Sequence, residues 1–101
     1  MPNASVAIQV LPKNAGAEML AVVDEVIAYL RGTGLKSFVG PFETALEGDL
    51  DELMEVVKEC QKIAVRAGSP GVLSFVKISY RPEGVPGIEE KTAKHLAENK
   101  L

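Results

Sequence analysis

The sequence predicts an α+β fold, a ferredoxin-like βαββαβ sandwich with two helices on one face of a four-stranded antiparallel sheet. Three observations predict it. Apolar residues recur with the period of a strand, a helix, two strands, a helix and a strand, in that order. The connections are short and carry turn residues, Gly32-Thr33-Gly34, Gly40-Pro41 and Ser69-Pro70-Gly71. With right-handed crossovers that order closes as a split βαβ sandwich, strands one and three central and adjacent. The 101 residues make one domain, its core spanning about 4–81, followed by a C-terminal tail helix over about 88–100.

Residues 4–11 alternate, with Val6, Ile8 and Val10 on one face and Ser5, Ala7 and Gln9 on the other, which is the pattern of a half-buried strand. Pro12 ends it, and Asn14 is placed to cap the first helix. Residues 17–31 repeat Leu20, Val23, Ile27 and Leu30 at helical spacing, widened by Met19 and Val26. Gly32 and Gly34 stop that helix, because glycine takes a left-handed conformation without steric cost. Residues 35–39 form a short strand, Gly40-Pro41 a tight turn, and residues 42–47 the third strand.

Residues 49–67 give the clearest helix. Asp49 followed by Glu52 has the spacing of a capping box, and Asp51 suits the positive end of the dipole. Leu50, Leu53, Met54, Val57, Cys60 and Ala64 form the buried stripe. Gly68 and Pro70 terminate it. Residues 72–80, rich in β-branched and aromatic side chains, form the last strand. After a loop with two prolines and two glycines, the tail helix has a thin apolar stripe of Ile88, Thr92, Ala93 and Leu96.

Composition narrows the function. A formal charge of -3 and a pI near 5.1, with basic residues scattered, exclude nucleic acid as a main partner. Five aromatics make no base-stacking platform. No apolar run approaches the ~20 residues of a membrane span, no secretory signal is visible, and a lone cysteine fits a reducing compartment. These point to the cytoplasm. Cys60 falls in a helix stripe as an inert core thiol, and His95 on the polar tail as a solvated residue. Glu47, Asp49, Asp51 and Glu52 are read as strand and cap residues, not as a metal site. No cofactor motif and no nucleophile–base pair is present, so an enzyme is the weakest reading.

The sheet face away from the helices decides the rest. If Val6, Ile8, Leu46, Val76 and Ile78 point at the helices, then Ser5, Ala7, Gln9, Glu43, Ala45, Glu47, Phe75, Lys77 and Ser79 line the open side. Such a mixed surface suits a ligand pocket, with Glu47 as its polar anchor and Gln9 beside it. It equally suits a subunit interface, which makes the chain an assembly or regulatory module. The two are compatible.

The chain resembles the small thiamine-binding-protein family, formerly grouped as a domain of unknown function. The matching residues are Val6 to Pro12 (Val-Ala-Ile-Gln-Val-Leu-Pro), Gly34-Leu35, and Gly40-Pro41 followed by Thr44-Ala45-Leu46-Glu47-Gly48. Val76-Lys77-Ile78-Ser79-Tyr80 and Glu89-Glu90-Lys91 also fit. The resemblance implies a ferredoxin-like subunit that assembles into dimers or tetramers. It implies binding of thiamine or its hydroxymethylpyrimidine moiety without catalysis. Carried over by position, Glu47 and Thr44 are the motif residues and Gln9 lies on the matching first strand. An aminopyrimidine offers an amino donor and ring nitrogens that a carboxylate and an amide read together. The thiazolium favours an aromatic wall such as Phe42 or Phe75. Ser5 and Lys77 complete the expected ligand-binding set. Thr44 has the opposite strand parity from Glu47, so both reach one ligand only through a twist or bulge.

Overall fold

Strand β1, Ala4–Pro12, runs through the middle of the sheet, and its alternation sets the two faces. The computed structural model describes residues 2–13, 16–90 and 92–93. After β1 come α1 (Gly16–Gly32), β2 (Lys36–Val39), β3 (Thr44–Gly48), α2 (Leu50–Arg66) and β4 (Val72–Tyr80). The sheet order is β2-β3-β1-β4 and every pair is antiparallel. This is the ferredoxin-like arrangement that the sequence predicts. A further helix begins at residue 88, with 88–90 and 92–93 described.

Of the residues expected to point at the helices, Val6, Ile8 and Leu46 are buried and Val10 and Val76 pack against them, joined by the buried Ala4. Ile78 is the exception, 53% exposed near the end of β4, where no helix covers it enough to bury it. The stripe on α1 is shifted. Val22, Val26 and Leu30 form the buried line, while Leu20 is 60% exposed and Val23 and Ile27 are half-buried. Apolar residues at 19, 20, 22, 23, 26, 27 and 30 fit more than one helical phase, and contact with β1 and β2 selects one. On α2 the buried line is Leu53, Val56, Cys60 and Ala64, so Val56 joins the stripe and Met54 and Val57 flank it. Burial pushes the Cys60 thiol up to about 11, which keeps it protonated and unreactive.

Asp49 caps α2 as expected, accepting from Asp51 N at 3.1 Å and Glu52 N at 3.4 Å. Asn3, rather than Glu52, completes the cap. Its Oδ1 accepts from Leu50 N at 2.9 Å while its Nδ2 donates to Asp49 Oδ1 at 3.2 Å. The chain before β1 is thereby tied to the start of α2. Strand β3 starts at Thr44 instead of residue 42 because residues 40–43 form the hairpin turn. Gly40 N donates to Glu43 O at 3.0 Å, and a Cβ on Gly40 would stand only 3.0 Å from that same oxygen. The cap expected of Asn14 lies outside the described residues, as do His95 and Leu96.

The face opposite α1 and α2 is not bare. Residues after β4 turn back across it: Val85 is 2% exposed and Ile88 9%. Val85 N donates to Pro2 O at 2.9 Å, which anchors the strap beside the N-terminal segment. The far end of that face stays exposed, at Leu73 and Phe75. The sequence predicts the whole face to be open because the strap carries too few apolar residues to announce a buried role.

Candidate functional site

Of the cavities among the described residues, two lie on opposite faces of the sheet. The first, of about 290 Å³, sits between the sheet and the strap. Its floor comes from the register, which sets Phe38, Ala45, Ala7 and Lys77 in one row across the four strands. The two alanines between larger residues leave a depression. Ser5, Ser79, Ile88 and Thr92 complete its walls.

Glu47 stands behind this cavity. It faces the side away from α1 and α2, as the alternation of β3 requires, and pairs with Ser5 on β1 and Lys36 on β2. Its side chain is 10% exposed. Oε2 accepts from Ile88 N at 2.8 Å, and Oε1 lies 4.0 Å from Lys36 Nζ. Lys36 also holds Glu89 at 2.8 Å. That hydrogen bond keeps the lysine above its ordinary range and the Glu89 carboxyl below its own. In this structure, then, the carboxylate fastens the strap to the sheet.

Gln9 is not beside Glu47. It is Ser5 that pairs with Glu47, whereas Gln9 pairs with Phe75. Gln9 lies four steps along the strand from Ser5, about 13 Å at ~3.3 Å per residue. Lys77, expected in the same ligand-binding set, bridges to Glu43 at 2.9 Å.

The second cavity, of about 210 Å³, is a crevice on the helix side. Val23, Val26, Ile27 and Leu30 of α1 form one wall and residues 39–44 the other, with Ile8 to Leu11 of β1 at the back. It exists because β3 is short. Strand β1 pairs with β4 along its whole length but with β3 only as far as Ile8↔Thr44. Beyond Thr44 the chain swings away into the hairpin turn, and α1 bridges the gap. The lining is apolar apart from Gln9, Glu43 and Thr44.

Thr44 is the informative residue of the crevice. It is 6% exposed, and its hydroxyl has no hydrogen-bond partner among the described residues. A buried hydroxyl without a partner costs about 1–3 kcal/mol, and buried polar groups in folded chains are rarely left so. Phe42, at the crevice mouth, is 80% exposed.

The seven residues expected from the sequence therefore divide. Gln9, Phe42 and Thr44 line the crevice; Ser5 and Lys77 line the cavity under the strap; Glu47 clasps the strap, and Phe75 lines neither cavity. The wall from α1 is absent from the sequence expectation, since helix-stripe residues read as core and nothing in their type separates a core position from a cavity wall.

The chain is thus a ferredoxin-like α+β domain with a small, mostly apolar crevice and a buried hydroxyl unpaired among the described residues. The family model for thiamine-binding protein matches residues 6–96, and the chain belongs to that family. It is 42% identical over 95 residues to a UPF0045 protein of Clostridium perfringens, covering 94% of this chain and 99% of that one. Among solved structures, a domain of unknown function from Bacillus cereus is 37% identical with a TM-score of 0.83, covering 91% of this chain and 88% of that chain. A Thermotoga maritima protein provisionally assigned to thiamine biosynthesis or salvage is 30% identical, also at a TM-score of 0.83, covering 91% and 97%. No helix among the described residues is long and apolar enough to cross a membrane.

Proposed function

We propose that this chain is a non-enzymatic binding protein for thiamine or its hydroxymethylpyrimidine moiety, and that the pyrimidine ring enters the helix-side crevice. The observation that carries this reading is the Thr44 hydroxyl, buried, without a partner among the described residues and on the wall of an apolar cavity. A ligand that brings a ring nitrogen to that hydroxyl relieves a cost the free protein bears. The cavity, at about 210 Å³, is below the roughly 300–1,000 Å³ of drug-sized sites. It suits one ring, which leaves the thiazolium at the mouth beside Phe42. The family description and the description of the Thermotoga maritima relative both support a thiamine-related ligand.

The test is calorimetric titration of the wild type and Thr44→Val with hydroxymethylpyrimidine and thiamine. Valine keeps the shape and removes the hydroxyl. The expected outcome is affinity weakened by roughly 3- to 10-fold, the worth of one neutral hydrogen bond, with folding stability unchanged or raised. A stability loss with unchanged affinity makes Thr44 a structural residue. No binding to the wild type removes the proposal. A second role, self-association into dimers or tetramers, is favoured by the exposed Leu73 and Phe75 at the uncovered end of the other face; it leaves the crevice free.

A further inference from the structure

Two hydrogen bonds at the ends of the β1–β4 ladder fix the direction of every backbone group on β1. Arg81 N donates to Asn3 O at 2.8 Å, and Lys13 N donates to Gly71 O at 3.0 Å. Between them the register runs unbroken from Ala4↔Tyr80 to Pro12↔Val72. Hydrogen-bonded positions alternate along an antiparallel strand, so the odd residues of β1 bond to β4 and the even ones turn toward β3. Ala4, Val6 and Ile8 meet Gly48, Leu46 and Thr44 there. Val10 is the next even residue and has no β3 residue opposite. Residues 40–43 are occupied with their own turn, and no bond from the described residues of that turn reaches Val10. Pro12, the even residue after it, lacks an N–H, which is why a proline is tolerated in a strand whose other side is fully paired.

Val10 thus presents an N–H and a C=O side by side to the crevice that it lines. Backbone groups in such surroundings are normally paired. We propose that this free step of β1 reads the amidine edge of a heterocycle, a ring nitrogen next to an exocyclic amino group, in the place of the missing strand. The ring nitrogen accepts from Val10 N–H, and the amino group donates to Val10 C=O. The Thr44 hydroxyl, two residues along at ~3.3 Å each, meets another polar atom of the same ring. The inference rests on the crevice being the ligand site and adds the group that reads the ring, the Val10 backbone, which favours a ring whose amino group can donate over one whose amino group cannot.

Amide exchange and NMR on the full chain, with hydroxymethylpyrimidine and its 4-dimethylamino derivative as probes, test it. In the free protein the Gln9 and Leu11 amides are expected to be protected and that of Val10 to exchange rapidly. Saturation with hydroxymethylpyrimidine is expected to shift the Val10 amide and slow its exchange roughly tenfold or more, and the dimethylamino derivative to bind about tenfold more weakly. A Val10 amide already protected in the free chain overturns the inference. So does one that ignores bound hydroxymethylpyrimidine, or equal affinity for the two probes. In those cases Thr44-dependent binding still upholds the crevice. Failure of hydroxymethylpyrimidine to bind at all overturns both.

Discussion

The crevice and the cavity under the strap are of similar size, but the buried polar side chain beside each, Thr44 in one and Glu47 in the other, is in the opposite state. Under the strap, Glu47 already has Ile88 N–H and Lys36, and Lys77 has Glu43. In the crevice, Thr44 has no partner among the described residues, and Val10 lies where strand pairing has stopped. A polar group that the fold satisfies holds structure together. One that the fold buries and leaves unsatisfied has its energetic gain still to come, from something that arrives later. That criterion is the ground on which we propose the helix side for the ligand and read the acidic residue of the Thr-x-x-Glu motif as the clasp of the strap.

The largest expected effect that separates the two faces comes from Glu47→Ala. It removes the acceptor of the Ile88 amide and one of the two carboxylates at Lys36. Stability to urea should fall by about 1–3 kcal/mol, the cost of leaving a donor unpaired and losing a charged hydrogen bond. The Ile88 amide should lose its protection from exchange, while affinity for hydroxymethylpyrimidine stays within about twofold. If affinity collapses and stability holds, the contrast is reversed and the carboxylate touches ligand, as the sequence alone suggests.

A smaller effect is expected at the crevice mouth. Phe42 is exposed on the hairpin turn, where an aromatic face is available to a cation. Cation–π contacts at exposed sites contribute about 0.5–1 kcal/mol. Phe42→Leu should therefore weaken thiamine by roughly 2- to 5-fold and leave the neutral hydroxymethylpyrimidine unchanged. Equal weakening of both ligands would place Phe42 against the pyrimidine, with the ring seated further out.

The reasons these two faces differ are unevenly legible in the sequence. Strand parity is readable: Leu46 points at the helices and Glu47 away from them, because β3 alternates without a bulge. Thr44 reads as a motif residue of the wrong parity for Glu47, and the structure resolves this by putting the two residues on different faces. Three things are not readable. The length of β3 depends on where the hairpin turn closes, and Gly40-Pro41 marks a turn without saying how many residues it takes. The phase of α1 is ambiguous in a helix that is apolar over most of its surface. The strap is held by the backbone bonds of Val85 and Ile88 and by one carboxylate, and bonds between residues so far apart in the chain leave no local periodicity to read.

Gly87→Ala gives the smallest and most discriminating change. A Cβ at this position would lie 3.2 Å from Glu47 Oε2, the atom that accepts from Ile88 N–H. The obstacle is the free end of a side chain, so a shift of a few tenths of an ångström accommodates it. The backbone at Gly87 lies outside the left-handed region, so alanine also reduces the freedom of the unfolded chain, which stabilises by about 0.4–1 kcal/mol. These terms oppose each other, and denaturation should find a net change within about 0.5 kcal/mol. Exchange at the Ile88 amide should nevertheless quicken, because the carboxylate is pushed off its donor. Should Gly87→Ala destabilise as much as Glu47→Ala does, close packing rather than the hydrogen bond holds the strap. Glu47 would then have acceptor capacity to spare, and the cavity under the strap would regain its claim on a ligand.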